Sequence, residues 1–513
     1  DVERSRGLGD VYKRQAVIAS AQELAPSDGL RYAMDNLNGT ARFRGMSGAF
    51  GAVGGDMSAI HVNPAGGAIF NYNTAAATLN LLSTKSNSRY FGTTTNDSDT
   101  SFDLNQAGGI FVFHNQDLSS GWTKFTFGIA YDNTNNFDNS FNYRGTGTRS
   151  IDQFFLNQAN GLPVGVIDNN YRYDELSFQD QQAYLAYQTY LIDTSTYPFN
   201  PDNPNYVSNV PQTGSYAHQN YVTTKGYNGK LAFNFASSYK DRLYIGLNLN
   251  AHFTDYTKNS TVYESNNGPV NTDPNYATIR QIQFNNDMHT YGSGFSFNIG
   301  AIAKITDELR LGAAYESPTW YRLTDELSQS LYTTYVAPVN SPTSPGATRS
   351  ASLNPNIINV YPTYTLQTPG KFTGSLAYIF GKSGLISFDY GVKDYSNIKF
   401  KPNNSYNNSL NDIYKNTLTT AQEFRVGAEY KIKQVSLRGG YRFEESPYKD
   451  EKIVGDLKGY SAGIGYNFGS ARLDFAYGHS QREMDVPLLS SMTDSARINS
   501  KIDSFTLTYT VGF

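Results

Sequence analysis

Few residues in this sequence are spaced as chemistry would require. The six histidines, His61, His114, His218, His252, His289 and His479, show no H-E-x-x-H or similar spacing, so no metal site is expected. The run GAVGGD, residues 51–56, suggests a phosphate loop. A P-loop needs G-x-x-x-x-G-K-[ST], yet no lysine lies between Gly45 and Gly67. A dinucleotide loop needs a surrounding βαβ unit, which the flanks do not offer. DNTNNFD, Asp132 to Asp138, resembles a calcium loop but puts Thr134 third and Phe137 sixth, where an oxygen-rich ligand and glycine belong. His479 and Ser480 near Asp474 invite a hydrolase reading, but a triad is defined by geometry rather than adjacency. No catalytic residue, metal or cofactor is expected, and the chain is not read as an enzyme.

What remains is a set of charges on otherwise apolar segments, among them Glu429, Arg438, Arg442, Arg472 and Asp474. Two readings stay open. They form a solvated network of ion pairs, or one arginine meets the carboxylate of an amphipathic ligand in a bidentate hydrogen bond.

The elements that carry these charges alternate with period two. In VSLRGGYRF, Val435, Leu437, Tyr441 and Phe443 share one face, and Ser436, Arg438 and Arg442 the other. LYIGLNLNAHF (243–253), ISFDYGVK (386–393) and RLDFAYGH (472–479) alternate likewise. Side chains on a strand point to alternate faces, so each segment is a strand with one apolar and one polar side. These strands run to about 10–15 residues, longer than in a soluble sandwich, and suit an apolar face on lipid and a polar face on a lumen. About fourteen are expected, starting with roughly 72–84 and 105–116. Short turns, as at Lys240, Lys382 and Gly469, alternate with long polar loops at 134–225, 258–289 and 323–366. The fold class is therefore all-β, a closed antiparallel transmembrane β-barrel with periplasmic turns and extracellular loops.

Composition agrees. The 513 residues include 40 Tyr, 31 Phe and 45 Gly with only 17% charged, and no apolar run approaches the roughly 18 residues of a spanning helix. The net charge of −4 gives no basic excess for nucleic acid. Residues 1–21 read as a signal-peptide remnant, with Ala19-Ser20-Ala21 as an A-x-A cleavage form, behind a charged start that reads as an assembly scar. The chain ends on SFTLTYTVGF, and the terminal Phe513 resembles the signal read by the barrel insertion machinery.

Four blocks resemble the FadL/TodX family of outer-membrane transporters for long-chain fatty acids and other hydrophobic compounds. They are RFRGMSGAFGAVGGDMSAIHVNPAGG (42–67), GSGFSFNIGAIAKITDELRLGAAYESPTWYRL (292–323), TPGKFTGSLAYIFGKSGLISFDYGVKDYS (368–396) and EFRVGAEYKIKQVSLRGGYRFEESPYKD (423–450). The resemblance implies a Gram-negative outer-membrane location, a fourteen-stranded barrel at 72–513 and an N-terminal hatch at 22–71. Asp56, Asn63, Pro64 and Ala65 form the hatch motif, with Asn63 expected to cap the hatch or tie it to the wall. It also implies passive diffusion of a hydrophobic small molecule such as a long-chain fatty acid, with lateral exit to the outer-membrane lipids through a kink in the third strand. Gly128 is the candidate for that kink. The loop 134–225 departs from the family in its length and its Tyr, Asn and Gln content. A role in a secretion or surface-attachment machinery is the alternative.

Overall fold

The computed structural model describes residues 26–513 apart from 118, 169, 196–199, 203, 342–344 and 490–491. The expected signal remnant at 1–21 lies outside the described residues.

Fourteen strands close on themselves: β1 Thr74–Tyr90, β2 Thr93–His114, β3 Trp122–Asn136, β4 Tyr216–Tyr239, β5 Leu243–Asn266, β6 Thr278–Lys304, β7 Leu309–Glu316, β8 Lys371–Phe380, β9 Gly384–Asp394, β10 Thr420–Ile432, β11 Val435–Glu444, β12 Leu457–Asn467, β13 Ala471–Pro487 and β14 Ser495–Gly512. Each pairs antiparallel with the next, and β14 returns to β1 from Thr74↔Gly512 to Arg89↔Arg497. No sheet edge faces lipid, as hydrocarbon requires. The alternation read from the sequence is the wall itself. Leu437, Tyr441, Phe475, Phe505 and Leu507 face outward and exposed, while Ser436, Arg438, Arg442, Asp474 and Thr508 point inward and are buried.

Three connections differ from the sequence reading. β1 and β2 continue through 85–104 to a two-residue turn at Phe91-Gly92, whose φ angles of 43° and 80° match the primed turns that suit strand twist. β5 and β6 leave only residues 267–277 between them, and Trp320–Val336 extends β7 beyond a break at Ser317-Pro318-Thr319 while pairing with β6. The loop 134–225 holds a short strand, Asn139–Gly147, and the start of β4. The cause is local polarity. Above the bilayer both faces of a strand meet water or other polar groups, so TTTNDSDT (93–100) carries no apolar period.

Between those strands the loop folds into a helical cap. Its helices, Asp152–Ala159, Val164–Ile167 and Phe178–Gln188, bury Phe154, Phe155 and Leu185 against Phe284, Leu331 and Tyr335 of the extended wall. The cap is anchored at its entry. Fully buried Glu264 accepts hydrogen bonds from Ser150 Oγ and Ile151 N, and its other partner is His218 at 3.0 Å.

Inside the barrel, residues 26–70 run from the extracellular half toward the periplasmic end. The first helix, α1 Pro26–Ala33, sits high in the lumen: Gly29 N donates to Tyr414 Oη at 3.1 Å, and the Arg31 guanidinium lies 3.7 Å from the Tyr256 ring centroid. The chain then descends through α2 Ala41–Arg44, α3 Ala59–Val62 and a 3-10 turn at Pro64–Ile69. At that level the wall lacks side chains where the hatch touches it. A Cβ on Gly246 would lie 2.3 Å from the Pro64 carbonyl carbon, one on Gly312 2.4 Å from Gly51 O, and one on Gly440 2.4 Å from the Met46 carbonyl carbon. Backbone thus packs on backbone, leaving no room for an added methyl group. Gly440→Val is expected to leave the barrel assembled but to cost about 1–3 kcal/mol through overpacking. Limited proteolysis should then cut within 42–67, while an unchanged hatch would show that the contact is not needed.

Candidate functional site: hatch, latch and lumen cavity

The hatch folds on its own polar groups first. Thr40 caps α2 by accepting from Phe43 N and donates to Asp56 Oδ1 at 2.7 Å. Asp56 also accepts from Ser58 N at 3.0 Å. Asn63 makes two kinds of contact. Its Oδ1 accepts from Ala65 N at 3.1 Å, capping the 3-10 turn that Pro64 begins. Its Nδ2 donates to Gly51 O at 2.8 Å and to Ala301 O of the wall at 3.0 Å. Pro64 O accepts from Asn234 Nδ2 at 3.0 Å, and Ala65 packs on Ala236, Tyr244 and Ile302.

Three of the four expected lumen charges meet in one chain of ion pairs. Arg42 of the hatch grips Glu429 through Nε at 2.9 Å and Nη2 at 3.1 Å, a bidentate fork. Arg438 bonds Glu429 at 2.6 Å and Asp474 at 2.8 Å, and Arg472 bonds Asp474 at 2.6 Å. The chain ends back on the hatch, where Arg472 lies 4.0 Å from Asp56. Three arginines thus alternate with three carboxylates, and the more exposed Lys431 lies 3.7 Å from Glu429 at the edge of the chain. Arg442 stands apart, 3.3 Å from Glu444, which also holds Arg482 at 3.4 Å. Sequence reasoning missed Arg42. Its signal is the pair Arg42 and Arg44 within a run of small residues, since a charge packed into a lumen needs a partner. Arg44 is buried with no carboxylate in bonding range among the described residues, and burial draws its pKa down to about 10.

A second cluster holds the other end of the hatch. Asp35 bonds Lys371 at 2.8 Å and Lys393 at 3.0 Å, and Lys393 Nζ also donates to Ala33 O at 2.7 Å. The lumen setting opposes ionisation of Asp35, but the two lysines outweigh it and hold its carboxyl well below the usual range. A lowered carboxyl stabilises at neutral pH and loses its contribution only as pH falls through that lowered value. Between the hatch and the wall these groups line a cavity of about 160 Å³. Tyr32, Leu37, Phe43 and Val62 line part of it, and Lys230, Lys371, Lys393 and Arg425 share the rest with the carboxylates Asp35, Asp132, Glu316, Asp389 and Glu423.

Gly128 does not break its strand. β3 pairs without interruption from Gln106↔Asp132 to His114↔Lys124 on one side and from Lys124↔Ser238 to Asn133↔Gly229 on the other. Gly128 is lumen-facing and leaves room for the Ile110 and Asn234 side chains. The β3–β4 register slips only toward the strand ends, between Trp122 and Lys124 and between Asn133 and Asn135, and next door the β1–β2 register slips between Thr78 and Leu79. There Asn105 and Gln106 are both buried, and Asn105 Oδ1 accepts from Gly39 N of the hatch at 2.7 Å. His479 bonds Asp503 at 2.8 Å and lies on the opposite face of β13 from Asp474, so those residues are not assembled as a triad. Phe513 is exposed at the periplasmic end, its N–H bonded to Asn73 O at 3.0 Å.

A closed fourteen-stranded barrel with an interior N-terminal hatch narrows the identity, and the family comparison decides it. Residues 203–509 match the model of the outer membrane protein transport protein family (OMPP1/FadL/TodX). The chain belongs to that family. Its fold is similar to that of a Pseudomonas aeruginosa FadL homologue, with 14% identity, 94% of this chain and 100% of that one covered, and a TM-score of 0.52. The Pseudomonas putida toluene transporter TodX gives 13%, 94% and 100% with 0.47, and the Ralstonia pickettii toluene transporter TbuX 14%, 93% and 98% with 0.48. No curated protein is detectably similar in sequence. The family places the protein in the outer membrane as a transporter fold for hydrophobic compounds.

The latch makes a graded prediction. Glu429→Gln leaves two buried guanidinium groups under-compensated, whereas Arg42→Met leaves Glu429 still paired with Arg438. The first should destabilise by about 3–5 kcal/mol and the second by clearly less, read from guanidinium unfolding of the refolded barrel. Equal losses would show that the network does not act as a chain.

Proposed function

We propose that this barrel carries hydrophobic molecules with an anionic head, long-chain fatty acids being the fitting class. In this reading the ligand carboxylate frees the hatch by competing with Asp35 for Lys371 and Lys393. The observation behind it is that the hatch carboxylate Asp35 bonds both lysines, Lys371 being shared with Glu423 of the wall, beside a cavity that Tyr32, Leu37, Phe43 and Val62 also line. A fatty acid would bring the same carboxylate chemistry together with a chain that gains about 25 cal/mol per Å² buried. The cavity of about 160 Å³ is below the roughly 300–1,000 Å³ of sites that enclose a drug-sized ligand. A long chain therefore enters only as the hatch or the helical cap yields. Lateral exit needs a seam to open. The β3 ladder is paired through Gly128, so the weaker point is the bulge at Asn105, whose side chain is already given to the hatch.

A role in a secretion or surface-attachment machinery has its own supporting observation. The strands extended above the bilayer form a recess of about 720 Å³ lined by Arg144, Gln219, Tyr263, Gln283 and Tyr332, away from the lumen cavity.

Uptake of labelled palmitate by cells carrying the barrel, with lipid extraction and mass spectrometry of the purified protein, separates the two. Uptake above an empty-vector control is expected, falling at least fivefold in Lys371→Gln/Lys393→Gln with assembly intact. No uptake and no co-purified apolar ligand would sink transport, and a co-purified secreted protein would promote the second reading. Asn63→Ala should also impair uptake without preventing assembly. Wild-type uptake in that variant would deny Asn63 a gating role.

A further inference from the structure

The outer wall carries a row of lysines where its apolar band ends. In the β1–β14 ladder Lys85 stands directly opposite Lys501. Lys501 stands opposite Gln481 of β13, and Gln481 opposite Lys458 of β12. All four residues point outward, and the three lysines are exposed. The row beneath is Ser83, Asp503, His479 and Tyr460, and the next holds Leu81, Phe505 and Tyr477. From Lys458 down to Phe468, which is exposed at the periplasmic turn just past the strand, the chain covers 11 residues, about the length that crosses a bilayer. The lysines therefore stand at the outer headgroup level.

The charge placement calls for an anion. Like charges directly opposite across a ladder are destabilising, and four residues further up Arg89 again faces Arg497. Arg497 is answered by Glu483 at 2.8 Å and Asp485 at 3.1 Å. Lys85 has only a contact of 3.4 Å to Asp503. Among the described residues Lys458, Lys501 and Arg89 have no carboxylate within bonding distance. At this height the neighbouring anions are lipid headgroups, and cations at a bilayer surface gain about 1 kcal/mol each from anionic lipid.

We propose that the outward face of β12, β13, β14 and β1 binds the phosphate of a phosphorylated lipid headgroup in the outer leaflet, through Lys85, Lys458 and Lys501 with Arg89 above them. The aromatic row of Tyr460, stacked on His479 at 5.0 Å between centroids, sets the depth at which the headgroup rests, because amphipathic rings settle at the interface. The site faces away from the lumen, so it is independent of the proposed uptake route.

The test uses the full-length barrel in detergent, titrated with bisphosphorylated lipid A and followed by native mass spectrometry. Lys85→Gln/Lys458→Gln/Lys501→Gln should bind at least tenfold more weakly than wild type, with unchanged heat-modifiable migration showing a folded barrel. The Lys→Arg triple should keep binding. Enzymatically dephosphorylated lipid A should bind the wild type as weakly as phosphorylated lipid A binds the Gln triple. Equal affinity of wild type and Gln triple would overturn the proposal. So would displacement of the lipid by millimolar inorganic phosphate, since that would mark a free-phosphate site rather than a headgroup site.

Discussion

Closure of the strand ladder is the constraint on which everything else rests. Hydrocarbon leaves no partner for an unpaired backbone group, so the sheet must close, and closure turns every second side chain into the bore. In a barrel of fourteen strands those inward groups cannot all reach one another. Polar residues such as Asn234, Asn248, Asp389, Glu429 and Thr508 instead bond the hatch: Asp389 accepts from Phe50 N and Gly51 N, Asn248 donates to Ile60 O, and Thr508 accepts from Ala41 N. The hatch is thus the lumen's hydrogen-bonding partner as much as its obstruction.

Two kinds of contact hold it, and they differ in reversibility. Wall glycines let the hatch backbone lie directly on strand backbone, a close fit that a shift of an ångström would lose. The ion pairs are different in kind. A carboxylate–lysine contact such as Asp35 with Lys371 and Lys393 is exchangeable, because another carboxylate satisfies the same lysines. The run Arg42–Glu429–Arg438–Asp474–Arg472–Asp56 alternates three arginines with three carboxylates and is buried at all but Arg472, so breaking it exposes charge in a low-dielectric setting. In the proposed reading the end near Asp35 is the point of release and the end near Arg42 the hinge.

Much of this was legible in the residues. Alternation in 435–443 and 243–253 set which side chains face lipid and which the lumen, and the hatch run with Asn63-Pro64-Ala65 gave the plug its place. Arg438, Arg472 and Asp474 were readable as lumen charges because each sits on the polar parity of its strand. Their partner Arg42 was not, since it lies 387 residues from Glu429 and no local pattern spans that gap. The extended strands escaped notice for the opposite reason. Outside the bilayer neither face must be apolar, and 93–100 has no period to read. Gly128 misled because glycine marks either a bend or a close approach, and only the Ile110 and Asn234 contacts decide for the second. The bulge at Asn105 has no such marker in sequence.

The central claim is that a ligand carboxylate unseats a hatch held against the wall. Hydrogen–deuterium exchange of the hatch amides between Leu30 and Gly39, with and without saturating palmitate, measures it most directly. The account predicts faster exchange in that segment with palmitate while the amides of β5 and β11 stay protected. Exchange of the hatch that is unchanged at saturation, with palmitate shown to be bound, would contradict it.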